Sequence, residues 1–260
     1  MRKLKLGAIL RAMIRLVTDS RFMLGPASAF FIAIAAAQLL QKQFAVADHR
    51  AIGAVIGLLS IPLLLALIVK THRYILLGEE PALNISGLIW PYVGRAILIN
   101  LPIAIVVIAG TIMLGPSVAL GRAAFTPTDY AFAAAFLVIF IALYVGLVMP
   151  MSLGLPATAK GRTDFTLQNA RDAARANFGP LFLLALVLTL VTLAWSLPIR
   201  LTALNAYMTM QPNADVMTQT LEMAVSAWTS IGAILGGILW AAMLSFAYAG
   251  LVEYDERYAA

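Results

Sequence analysis

His72, Arg73, Glu79 and Glu80 are the residues whose types and spacing best suit chemistry in this sequence. Arg73 facing Glu79 or Glu80 would make a polar site for a lipid headgroup or a protein partner. Gly78 ahead of Glu80-Pro81 enforces a break there, because the residue before a proline avoids the α region. The same residues also read as snorkelling cations that end one helix and an acid pair that caps the next through its dipole. The other histidine, His49, stands on the far side of an apolar run. At ~1.5 Å of rise per residue the two imidazoles end roughly 34 Å apart, too far to share a metal ion. Cysteine is absent, so thiolate chemistry is excluded, and no HExxH, GxxxxGK[ST] or GxSxG motif occurs. No catalytic residue, metal ligand or cofactor site is expected, and the chain does not read as an enzyme.

The elements that must position these residues are apolar. Of 260 residues, 62% are hydrophobic and 12% charged, against roughly 45–50% and 25% in soluble domains; mean hydropathy is +0.92. Six segments, at about 22–41, 51–69, 96–114, 131–150, 180–197 and 228–250, approach the ~20 residues that cross the hydrocarbon core. The expected fold is all-α and polytopic, a single integral membrane domain over residues 1–260. The net charge of +6 sits at the ends of apolar runs, so it reads as a topology signal and not as a nucleic-acid surface. Lys and Arg number 14 in the N-terminal arm, residues 70–95, residues 160–175 and the tail, against 4 in the opposite loops, namely Lys42, Arg50, Arg122 and Arg200. The positive-inside rule then places both termini in the cytoplasm.

Short amphipathic helices are expected between the spans. Over residues 1–18, Lys3, Arg11 and Arg15 form a basic stripe opposite Leu6, Ile9, Leu10, Met13 and Leu16. That pattern suits a helix in the lipid interface touching anionic headgroups, or a basic leader orienting the first span. A second helix is expected inside residues 161–180 with Thr163 as its N-cap, and a third between Lys70 and Arg95. Each precedes an aromatic residue, a proline and an apolar hairpin: Phe22 with Pro26, Trp90-Pro91, and Phe178 with Pro180. The pattern suggests three repeated hairpin units.

Inside the spans, Asn100, Thr111 and Thr192 are candidate pore-lining residues, and Pro62, Pro102 and Pro150 candidate kinks. None of the twelve Asp and Glu residues falls mid-span, which argues against a proton- or cation-coupled pump. Gly53 with Gly57, and Gly232 with Gly236 and Gly237, allow close helix approach and suggest a seam between the second and sixth spans.

With Arg73 to Glu79 (RYILLGE) closing span two and Asn177-Phe178-Gly179 leading into span five, the chain resembles six-span bacterial inner-membrane proteins akin to the membrane domain of some glycerophosphodiester phosphodiesterases. The resemblance implies an inner-membrane location and a helical membrane domain. It implies no hydrolysis, since the histidine and carboxylate equipment of such a catalytic domain is missing. The expected role is accessory, through contact with membrane lipids or a membrane-protein partner. The alternative is a small uncoupled carrier for an apolar or zwitterionic substrate. A polar mid-depth cavity lined by Asn100, Thr111 and Thr192 would favour the carrier, and a dry bundle with a basic belt the accessory role.

Overall fold

The computed structural model describes residues 3–23, 26–46, 50–79, 87–119, 127–209, 215–255 and 257–258. The elements among them are helices joined by short turns and loops: α1 (Leu6–Thr18), α2 (Ser20–Met23), α3 (Pro26–Val46), α4 (Arg50–Leu77), α5 (Ile89–Ala119), α6 (Pro127–Leu143), a π-helical stretch (Tyr144–Val148), α7 (Met149–Met151), α8 (Gly154–Ala159), α9 (Leu167–Arg175), α10 (Phe178–Thr209) and α11 (Asp215–Leu251). Six helical segments among the described residues are long and apolar enough to cross a membrane. The protein is an all-α, multi-pass membrane protein.

Helix α11 is the axis. It packs against α10, α4, α3, α1 and α8, and every residue from Ala241 to Gly250 is buried. Ala241, Ala242, Ser245, Ala247, Ala249 and Gly250 supply the small side chains that let neighbouring backbones approach. Three helix pairs, α3–α4, α5–α6 and α10–α11, follow in chain order. The α5–α6 pair stands apart, because neither helix packs extensively on α10 or α11. Its surface, including Ile97, Ile105, Ile112, Leu137 and Val138, is exposed, as hydrocarbon solvation permits and water would not.

Helix ends differ from the sequence reading in informative ways. Helix α4 continues through Lys70 and His72 to Leu77, and Gly78 at φ +66° ends it in the left-handed region. Its 28 residues span about 42 Å, so one end stands clear of ~30 Å of hydrocarbon. Trp90 and Tyr92 lie in the first turn of α5 and Arg95 in its second, so Arg95 is not a loop residue. The fourth span runs from Tyr130 to Ala159 through the π-helical stretch. Pro150, which lacks an N–H, follows that stretch, and turn residues Ser152 and Leu153 separate α7 from α8.

Segments carrying the positive charge converge at one end of the bundle. The Leu4 N–H donates to Asn177 Oδ1 at 2.9 Å and the Lys5 N–H to the Tyr258 carbonyl at 3.2 Å. Arg162 Nη1 donates to the Tyr248 hydroxyl at 3.2 Å and Lys160 pairs with Glu253. We refer to this as the charged end.

Candidate functional site

Two concavities flank one buried polar contact. The first is a groove of about 1,170 Å³ at the charged end, lined by Arg11, Arg15, Arg21 and Arg257 with Asp19 and Tyr74. The α1 sequence explains the placement. Ile9, Met13 and Leu16 are buried and α1 packs on α11, so the apolar face assigned by sequence to the lipid interface is covered by protein instead. Arg11 and Arg15, one turn apart, are left exposed. Lys3 is exposed too, but it is not part of the groove wall.

Asp19 fixes the groove's shape. Its carboxylate accepts from the Tyr74 hydroxyl at 2.5 Å and from the Arg21 backbone N–H at 3.0 Å. The Tyr74 bond, then the Arg21 N–H, holds the carboxyl below its ordinary value. Phe22 seats against the Tyr74 ring with centroids 5.0 Å apart. Arg257, also in the lining, is held by Asp255, with Nη2 donating to Oδ2 at 2.7 Å. Among the described residues no carboxylate pairs with Arg11 or Arg15.

The second concavity is a cleft of about 670 Å³ among α4, α5, the π-helical stretch, α10 and α11. Asn100 and Thr192 line it, as do Tyr92, Tyr144, Ser152, Thr189, Ser196 and Trp240; Thr111 does not. Thr111 is exposed and donates to the Val107 carbonyl of its own helix at 2.9 Å.

Of the polar residues grouped by sequence, Arg73 and Glu79 meet as an ion pair while His72 turns to other partners. His72 is fully buried, with Nδ1 2.7 Å from Ser245 Oγ and Nε2 3.1 Å from the Tyr92 hydroxyl. Arg73, the next residue, projects elsewhere: its guanidinium pairs with Glu79, and Nη1 donates to the Ala159 carbonyl at 2.8 Å. Successive residues on a helix are separated by about 100°, so neighbours in sequence serve different walls. Glu80, its Pro81 break, the helix expected after it and His49 lie outside the described residues. The Ser245–His72 pair has a nucleophile–base spacing, yet both side chains are 0% exposed and neither lines the groove or the cleft. The pair therefore works as a helix–helix tie.

A residue that sequence placed in a loop forms another tie. Arg95 Nη1 donates to the Gly154 carbonyl at 3.1 Å and to Thr158 Oγ1 at 2.6 Å, and Nη2 donates to the Phe165 carbonyl. This holds α5 to α8 and to the loop before α9. The N-cap of α9 is Thr166, whose side chain accepts from the Asn169 N–H at 3.1 Å; Thr163, the capping residue expected from sequence, stands outside the helix. Asp164 is instead drawn to Arg162, 2.5 Å away, which lowers its carboxyl pKa.

The sixth-span glycines divide between two neighbours, and only Gly237 serves the expected seam with the second span. Gly232 faces Trp195 and Gly236 faces Thr192, both on α10, while Gly237 meets Leu64 and Ile68 on α4. The sixth span's glycines therefore serve chiefly α10, where the flat Trp195 indole needs the space a side chain would take. The packing of Gly53 and Gly57 lies outside what the structure describes.

The chain matches no family model, no curated protein and no solved structure.

Proposed function

We propose that this protein is an accessory protein of the cell's inner membrane that binds anionic lipid headgroups in its basic groove, with both termini and the charged end in the cytoplasm. The observation that carries the reading is the convergence of Arg11, Arg15, Arg21 and Arg257 on one groove at the edge of a six-span bundle. Guanidinium groups donate to phosphate in pairs and stay charged at every physiological pH. Exposed Ile14 beside Arg15 gives α1 an apolar contact for the acyl boundary, so the helix keeps an amphipathic role while its inner face packs on protein. The reading assigns the protein no catalytic reaction. It is preferred to a carrier because Thr111 stands apart from the cleft that Asn100 and Thr192 share. A membrane-protein partner would meet the same basic surface.

The test is native mass spectrometry of protein reconstituted in nanodiscs of phosphatidylglycerol and phosphatidylcholine. Wild type should retain phosphatidylglycerol selectively. With about 1 kcal/mol for each basic residue near an anionic surface, the combined Arg11→Gln, Arg15→Gln, Arg21→Gln variant should lose about two orders of magnitude in affinity. Equal retention of both lipids by wild type would refute the reading. Reporter fusions at the two termini should both report the cytoplasm.

A further inference from the structure

We infer that the cleft is a second and separate site, which takes one uncharged lipid alcohol from the bilayer by lateral entry. Access is the first argument. The cleft lies between the α5–α6 pair and the α10–α11 pair, which do not pack extensively on one another. Asn100, Thr192, Leu193 and Ala233 on its walls are exposed, so it opens sideways, in the direction from which a lipid arrives. Its volume falls in the roughly 300–1,000 Å³ range of small-molecule sites, enough for a headgroup and the first part of a chain.

Wall chemistry selects the headgroup. Among the described residues no Asp, Glu, Lys, Arg or His lines the cleft, so a phosphate, carboxylate or ammonium would be buried there without a counter-charge. The polar groups that do line it have spent protons on their own helices. Thr189, Thr192, Ser196 and Ser152 donate to the carbonyls of Ala185, Leu188, Leu193 and Val148 at 2.7–3.1 Å, and Asn100 Nδ2 donates to the Ala96 carbonyl at 2.8 Å. What they present is chiefly lone pairs, those of the hydroxyl oxygens and Asn100 Oδ1, beside the one remaining Nδ2 hydrogen of Asn100. A wall rich in acceptors calls for a ligand that donates, and a hydroxyl is the uncharged lipid headgroup that does so. Two donors complete the pattern. Among the described residues, neither the Tyr144 hydroxyl nor the Trp240 indole N–H has a hydrogen-bond partner. Their rings lie 6.1 Å apart at the π-helical stretch, and they are free to serve the ligand's own oxygens. Diacylglycerols and long-chain prenols share this chemistry.

Photo-crosslinking tests the inference on the whole protein in phosphatidylcholine proteoliposomes. The probes are a diazirine diacylglycerol, a diazirine prenol and, as the charged comparison, a diazirine phosphatidylglycerol. Adducts of one or both lipid alcohols should map near Asn100, Thr192 and Trp240, and the more efficient probe identifies the source. Asn100→Leu and Thr192→Val should each lower the yield about threefold to tenfold, the worth of one hydrogen bond. Mapping on the wild type stands independently of how the variants fold. Absence of adducts at these residues, equal labelling there by phosphatidylglycerol, or yields unchanged in both variants overturns the inference. The basic groove is untouched by any of these outcomes, since none of its residues lines the cleft.

Discussion

His72 Nδ1 lies 2.7 Å from Ser245 Oγ, joining α4 to the axial helix α11 at the partition between the groove and the cleft. On α11, Leu244 faces the cleft, Ser245 holds His72 and Phe246 faces the groove. On α4, Ile68 lines the cleft and Tyr74 the groove. The tie therefore fixes the relative position of both concavities. Ser245→Ala leaves a fully buried imidazole short of a partner and should cost about 1–3 kcal/mol. Thermal unfolding in detergent checks it, and an unchanged midpoint would show that the bond contributes little.

Arg95 holds α5 to α8 through the Gly154 and Phe165 carbonyls and Thr158 Oγ1, with no carboxylate partner among the described residues. Arg95→Met removes charge-assisted bonds of about 1.5–3 kcal/mol each. Hydrogen exchange in residues 160–166 should accelerate, while the Trp195–Trp228 region stays as protected as in the parent.

A Cβ at Gly232 would overlap the Trp195 indole, lying 2.8 Å from Nε1. That indole stacks on Trp228 with centroids 4.4 Å apart, and each N–H bonds the other's backbone carbonyl. Gly232→Val should therefore cost about 1–3 kcal/mol through overpacking and shift tryptophan emission. Retention of the parent spectrum and stability would mean that α10 and α11 can separate without loss.

Low pH should loosen the groove. The Asp19 carboxyl is held below its ordinary value by Tyr74 and then by the Arg21 N–H. Its contribution is thus complete above the unfolded aspartate pKa, about 4, and is lost as pH falls through the lower folded value. Exchange of α2 amides should rise below about pH 4 in the parent. Asp19→Asn should show the faster exchange already at neutral pH, with a weaker dependence on acid.

Much of this architecture is written in hydropathy and charge, which are local. Six apolar runs of bilayer length give six spans whatever their neighbours are, because unsatisfied backbone in hydrocarbon leaves the helix as the available solution. The clustering of Lys and Arg in alternate loops is equally a property of the linear chain, and the same segments meet at the charged end. The basic stripe of α1 was legible in the same way, since Arg11 and Arg15 repeat at helical spacing.

Which face meets which partner is a different kind of information. His72 and Arg73 are adjacent in sequence, yet one is enclosed by Ser245 and Tyr92 and the other reaches Glu79 and Ala159; the angular step of the helix separates them, and only the positions of α11 and α8 assign their roles. Likewise α1's apolar face could meet lipid or protein with equal hydrophobic gain, and the nearby surface of α11 decided it. The cleft arises because the α5–α6 pair packs on itself and departs from α10 and α11, a relation among distant segments. In a bilayer, apolar side chains gain little by choosing protein over lipid, so hydropathy marks the spans, and small residues, aromatic ties and buried polar contacts settle how they assemble.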